Sequence, residues 1–319
     1  MMEIVCCPDK NYIMPCGVMI RSLCENNKDC EIRIHIIVDN DVNENHKKSL
    51  TKIIEPYENK SITFYNMDKI QMTVFPALNN NTHIKRSAYF RLYLTEILPH
   101  EINKILYLDA DLIIEKNLSN LWNYDIEKYA IGWCLEHETD NISQYNRLQY
   151  PRNKCYYNTG VLLINLSYWR KHNLLEKYSN FMTQHSDRIK YHDQDVLNCV
   201  LIDCCLRLPL KYNVQPAFFY KKDLILMDLQ KYGEEIEEAK KDPFILHFST
   251  RYKPWNEDCS HPLKSEFLKY QNMTEWKNIP LVEEFLPNRP LKAMLGDFLR
   301  LIRIKKPIKR SFSRHFFDT

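Results

Sequence analysis

Glycine is nearly absent from this chain, with five residues in 319. So few glycines exclude a glycine-built phosphate loop, and neither a G-x-G-x-x-G nor a Walker A pattern occurs. Any nucleotide must be held another way. No apolar stretch reaches the ~18 residues that mark a membrane-spanning helix. C-x-x-C pairs are also lacking, so a structural zinc site is not expected. The 11 cysteines are odd in number and without framework spacing. Cys6-Cys7 and Cys204-Cys205 sit in apolar, strand-like runs. With no secretory signal read at the amino end, the expectation is reduced thiols packed as small hydrophobes in a cytoplasmic protein.

A dominant charge is missing too: 44 basic and 41 acidic residues leave +3. No basic face is visible along most of the chain, which sets nucleic acid aside as a partner. The exception is RIKKPIKRSFSR, from Arg303 to Arg314, with six cations and no acid, followed by His315, Phe316 and Phe317. Such a tail (303–317) suits peripheral contact with the inner face of the plasma membrane, a solvated basic tail being the plain alternative.

What is present is an ordinary soluble composition, 45% hydrophobic and 27% charged, in a chain long enough for a large core. The first half alternates strand and helix: strand Glu3–Cys7, helix Met14–Glu25, strand Ile32–Val38, helix Asn43–Ile54, strand Ser61–Tyr65 and helix Arg86–Ile97. That order predicts an α/β fold with a mostly parallel sheet and helices on both faces, and ligands bound beyond the carboxyl ends of the strands. The second half predicts a strand over Val161–Leu166, helices over Leu174–His185 and Asp193–Ile202, and a short strand over Phe244–Phe248. Beyond residue 260 small helices are expected, punctuated by Pro280, Pro287 and Pro290.

The richest stretch is Tyr107-Leu108-Asp109-Ala110-Asp111-Leu112-Ile113, two carboxylates within an apolar run from Ile105 to Ile114. Strands avoid Asp, and two carboxylates pointing the same way repel unless a cation lies between them. A divalent metal answers that need, while a strand that simply ends at Asp109 is the bland alternative. Asp9, Asn11 and Tyr12, after the first strand, can read a base edge and stack on its face, or form an ordinary turn. Arg91 can serve a diphosphate or a surface ion pair. Asn158-Thr159-Gly160, before the Val161 strand, permits close approach to a ligand or makes a plain turn. His192-Asp193-Gln194-Asp195 opens a helix, with Asp193 as an N-cap or as a grip on sugar hydroxyls. His247 ends an apolar strand, where it can complete a metal site or rest in the core, and Lys253 follows at phosphate reach.

Six ordered blocks, CCPDKNY, AYFRLYL, ILYLDADLII, YYNTGVLLINLSYWR, YHDQDVLN and LHFSTRYKPW, resemble the retaining glycosyltransferases of family 8, and most closely the bacterial lipopolysaccharide galactosyl- and glucosyltransferases. The resemblance implies a GT-A catalytic domain over 1–260, with 261–319 as a helical extension. It implies transfer of a hexose from UDP-galactose or UDP-glucose to a glycan or lipid-linked glycan, with Mn²⁺ as cofactor and Mg²⁺ as the alternative. Asp109, Asp111 and His247 would hold the metal, with Ala110 between them against the donor. Asp9, Asn11 and Tyr12 would hold uracil and ribose, and Arg91 the donor near the diphosphate. Glu136, Asn158, Thr159, Gly160 and Asp193 would line the sugar pocket. Gln194 would lie at the reacting face and Lys253 beside the departing diphosphate. Retention needs either a covalent intermediate, for which Asp195 could serve, or front-face attack, which is the favoured reading. Glu136, Thr159 and Thr250 depart from the residues common at those places. The rival readings are a catalytically silent UDP-sugar- or glycan-binding protein and a metal phosphohydrolase using the DxD.

Overall fold

The computed structural model describes residues 1–67, 86–220 and 223–282. The basic tail from Arg303 to Phe317 lies outside the described residues.

The amino half builds one side of a sheet from β1 (Met2–Cys6), β2 (Ile32–Val38), β3 (Lys60–Asn66) and β4 (Lys104–Leu108), connected by helices α1 (Ile13–Asn26) and α2 (Glu44–Ile54). Asn43 caps α2 in a capping box with His46. Arg86–Tyr93 winds as 3-10 helix into the short α3 (Leu94–Ile97), where one regular helix was expected. The apolar run around the two aspartates is not one strand. It breaks at Asp109, and β5 (Leu112–Ile114) begins a separate ribbon.

The carboxyl half adds α4 (Ser119–Trp122), β6 (Ile131–Leu135), α5 (Ile142–Leu148), β7 (Tyr157–Asn165), α6 (Leu166–Lys171), α7 (Leu174–Gln184), α8 (His192–Leu201), β8 (Cys205–Arg207), α9 (Leu229–Lys241), β9 (Ile245–His247) and α10 (Lys264–Gln271). The main sheet has seven strands in the order β3-β2-β1-β4-β7-β6-β8, and β5 pairs with β9 in a second sheet. β7 alone is reversed, running antiparallel to β4 and β6, while every other pairing in the main sheet is parallel.

The reversal of β7 decides where its polar residues fall. Its first residues meet the last residues of its neighbours, with Val161 opposite Leu108 and Tyr157 opposite Leu135. Asn158, Thr159 and Gly160 lie inside β7 rather than ahead of it, at the same edge as the carboxyl ends of β1, β4 and β6. A strand buried on both faces needs an apolar run, and Val161–Ile164 is fully buried between β4 and β6.

Between residues 261 and 282, Phe267 and Tyr270 are buried in the same core. Asn26 Nδ2 on α1 donates to both Tyr270 Oη (2.7 Å) and Ile114 O (2.9 Å). All 11 cysteines are free thiols. Among the described residues no helix is long and apolar enough to cross a membrane.

Candidate active site

Asp109-Ala110-Asp111 is the turn by which the chain leaves the main sheet for the ribbon. Two backbone bonds hold it: Asp109 N–H donates to Gly160 O (2.9 Å) and Phe248 N–H to Asp111 O (3.0 Å). Pairing of Leu112 with His247 across the ribbon brings the imidazole beside the two carboxylates.

One ligand atom each from Asp109, Asp111 and His247 fall within 4.8 Å of one another. His247 Nε2 stands 3.5 Å from Asp111 Oδ1 and 3.9 Å from Asp109 Oδ2. The opposite oxygens are tied elsewhere. Asp109 Oδ1 accepts from Arg91 Nη2 (2.8 Å) and Tyr107 Oη (3.0 Å), and Asp111 Oδ2 accepts from Lys253 Nζ (2.5 Å). Each carboxylate thus turns its other oxygen toward the imidazole. Two carboxylate oxygens and one imidazole nitrogen suit a small divalent cation of borderline hardness. Burial would raise the Asp111 carboxyl, but the Lys253 ammonium outweighs it and holds it well below the usual range. Burial would lower the Lys253 ammonium, yet Asp111 raises it well above its ordinary value.

Gly160 is required by close approach. A Cβ there would lie 2.2 Å from His247 Cε1 and 2.7 Å from Nδ1. The imidazole rests directly on the β7 backbone.

Arg91, only 7% exposed, organises the other wall. It stacks over the Tyr107 ring (4.2 Å to the centroid), donates to Thr159 O (2.6 Å) and pairs through Nε with Asp193 Oδ2 (3.2 Å). Burial pushes the Asp193 carboxyl up to about 6, against the pull of Arg91 and helped by Asp109. Asp193 is not the cap of α8; it lies within the first turn, behind His192, whose φ of 49° is left-handed. A non-glycine residue there costs roughly 1–3 kcal/mol and is typical of sites where geometry is imposed. Gln194 follows on the same turn. Its Oε1 accepts from Thr159 N (3.2 Å) and its Nε2 donates to Glu136 Oε2 (3.2 Å).

Asp195 does not join them. It is fully buried, with Arg147 bidentate on its carboxylate (2.7 and 3.1 Å). It also accepts from Tyr156 Oη and from the backbone N–H of Lys190 and Tyr191, each at 2.7 Å. With both oxygens so committed it clamps the loop before α8.

A cavity of about 260 Å³ opens beside this arrangement, lined among others by Arg91, Asp109, Glu136, Asn158, Asp193 and Gln194. Thr159, Ser249 and Thr250 also border it. Asp9, Asn11 and Tyr12 lie off this cavity, after β1. Asp9 Oδ1 accepts from Asn11 N (2.7 Å), and Tyr12 meets Trp255 edge-on at 5.6 Å. Lys253 pulls the Tyr12 phenol down, but burial, Asp111, Asp9 and Asp109 outweigh it and raise it, so Tyr12 stands within the field of the two aspartates.

Several residues of the site carried no signal in the sequence. Asn213 and Gln215 lie in an extended segment whose Val214 bridges to Leu246 of β9. Both are wholly buried. His137 pairs with Glu136 Oε1. Tyr107 is different: near the end of β4 and two residues before Asp109, it donates to Asp109 Oδ1, and a period-two reading of the run could have found it.

The glycosyl transferase family 8 model matches residues 3–259. General stress protein A of Bacillus subtilis (strain 168) is 29% identical over 287 residues, covering 87% of this chain and 96% of that protein. A lipopolysaccharide 1,2-glucosyltransferase of Escherichia coli is 27% identical over 275 residues, covering 85% and 78%. The crystal structure of the galactosyltransferase LgtC in complex with donor and acceptor sugar analogs aligns over 92% of this chain and 99% of that one, with a TM-score of 0.72 at 23% identity, a likeness of fold. The chain belongs to glycosyltransferase family 8 and has the GT-A fold.

Proposed function

We propose that this glycosyltransferase moves a hexose from UDP-glucose or UDP-galactose to a glycan hydroxyl, with retention at the anomeric carbon and with Mn²⁺ held by Asp109, Asp111 and His247. One observation carries the reading: both carboxylates have one oxygen bound to a cation of the protein and the other turned to His247 Nε2. That half-neutralised cluster fits a divalent cation and the diphosphate it would carry. When bound, the cation would act as a Lewis acid on the departing diphosphate.

The chain's own residues supply the rest. Lys253 and Arg91 place positive charge where negative charge grows as the glycosidic bond lengthens. Asp9, Asn11 and Tyr12 would take the uridine end, and the cavity wall of Asn158, Thr159, Asp193 and Gln194 the sugar. Asp195 is engaged by five donors, and Gln194 offers only a weakly basic amide oxygen. That chemistry favours front-face attack, in which the leaving phosphate oxygen takes the acceptor's proton. The lipopolysaccharide glucosyl- and galactosyltransferases among the relatives support an acceptor in surface-glycan synthesis.

The test gives purified protein Mn²⁺, a panel of nucleotide sugars and candidate acceptors, and measures UDP release. Release from UDP-hexoses only, abolished in Asp109→Ala, is the expected result. Tight UDP binding without turnover on any acceptor would point to a binding protein. Phosphate release from monoesters would point to a hydrolase.

A further inference from the structure

His247 has two ring nitrogens, and only Nε2 faces the carboxylates. What fixes that choice is a chain of buried amides whose direction can be read from its ends. At one end stands Glu136, a carboxylate that can only accept; its carboxyl would be raised by burial, but His137 and Asn158 hold it down to about 2. Asn158 must therefore point its Nδ2 at Glu136 Oε2 (2.8 Å). Its Oδ1 then accepts twice, from Gly160 N–H (2.8 Å), which can only donate, and from Asn213 Nδ2 (2.7 Å). Asn213 is left with its Oδ1 against His247 Nδ1 (2.9 Å). An amide oxygen accepts, so Nδ1 carries the proton. Reversing any amide would set two acceptors or two donors face to face.

The backbone explains why Asn213 is there. Val214 N–H donates to Ile245 O (2.9 Å) and His247 N–H to Val214 O (3.0 Å), so the segment runs beside β9. Two residues on, Gln215 projects to the same side and accepts from the backbone N–H of His137 (3.1 Å), steadying the partner of Glu136.

We propose that Asn213 is a positioning residue which, oriented by Glu136 through Asn158, keeps the proton on His247 Nδ1 and the Nε2 lone pair directed at the space between Asp109 and Asp111. The proposal deepens, and rests on, the metal-site reading above. An isolated neutral imidazole favours its proton on Nε2, the form that cannot ligate through that atom. Outer partners of ligating histidines typically change metal affinity 10–100-fold when removed.

The test uses cation-free protein with ¹⁵N-labelled histidine. A slowly exchanging proton on His247 Nδ1 is expected in the unaltered chain. It should be lost in Asn213→Leu and retained in Asn213→Asp, which keeps an acceptor for Nδ1 but takes away the donor to Asn158 Oδ1. Mn²⁺ affinity, read by water-proton relaxation, should fall about 10–100-fold in the Leu variant and recover only in part in the Asp variant. A bare Nδ1 in the unaltered chain, or a protected Nδ1 proton in Asn213→Leu, overturns the proposal whatever Mn²⁺ does. If instead the proton behaves as expected but the unaltered chain binds no Mn²⁺, the positioning role stands and the metal reading falls.

Discussion

Replacing Gly160 with alanine adds one methyl group at the place where β7 supports His247. The added carbon would stand 2.2 Å from Cε1, against about 3.5–4.0 Å for carbon atoms in contact, so about 1.3–1.8 Å must be found. The ring cannot swing away freely, because Asn213 holds Nδ1 and the β9 backbone is paired with β5. The strand cannot retreat, because β7 lies between β4 and β6. Metal sites tolerate about 0.2 Å in ligand distance, so a shift of this size takes His247 Nε2 out of the ligand set. Overpacking of this kind costs roughly 1–3 kcal/mol of stability. A misplacement near 1 Å can cost about 10²-fold in rate.

The assay is a Mn²⁺ titration, UDP release from the preferred UDP-hexose and a thermal melt on the same preparations. Gly132→Ala is the control, since the atoms nearest its Cβ would be those of the flexible Leu208 side chain, at 3.3 to 3.5 Å. Gly160→Ala should lose metal affinity and about two orders of magnitude in turnover while still melting cooperatively, and Gly132→Ala should keep both. Native Mn²⁺ affinity and turnover in Gly160→Ala would refute the claim that His247 works from the surface of β7.

Asp195→Asn breaks a buried ion pair with Arg147 and should destabilise the fold by about 3–5 kcal/mol, read by denaturant unfolding, without removing a reacting group. A glycosyl adduct trapped on Asp195 would contradict the clamp. Lys253→Met removes the charge beside Asp111 and should lower kcat/KM for UDP-hexose by about 10²–10³-fold, so a change of only a few fold would remove Lys253 from the diphosphate side. His137 adds a pH dependence. Burial would lower its imidazole, but Glu136 and Glu138 raise it to about 9 from 6.5. Because the folded value is the higher one, the stabilisation is complete below about pH 6.5 and fades as pH rises toward 9. His137→Gln should flatten that decline in melts taken across the same range, and an unchanged slope would break the link.

The sheet-and-helix alternation of the amino half was readable because each apolar run is bounded by turn residues and followed by an amphipathic helix. The reversal of β7 was not, since Val161-Leu162-Leu163-Ile164 reads equally apolar in either direction and a run buried on both faces has no period to orient it. That single reversal puts Asn158 and Gly160 at the carboxyl edge. The two aspartates stood out because carboxylates in an apolar run need an explanation, yet the strand does end at Asp109. The turn and the proposed metal site are compatible, since a turn between two sheets presents both carboxylates to one side. Asp195 is the opposite case. It sits one residue from Gln194 in the sequence, but its partner Arg147 comes from a different helix, and only the fold shows that its charge is already spent.

Asn213 marks the limit of a single sequence most clearly. In Leu210-Lys211-Tyr212-Asn213-Val214-Gln215 it looks like one more turn residue, and its backbone does follow a 3-10 turn. Its importance comes from what lies on its two sides, the imidazole of His247 and the amide of Asn158, neither near it in the chain. Asp109, Asp111 and His247 could be singled out as candidate ligands because metals prefer particular residue types. The residue that aims one of them is neutral, common and interchangeable by composition. Its value lies in the direction of an amide, a property that exists only once Glu136 and Gly160 have been brought to either end of Asn158.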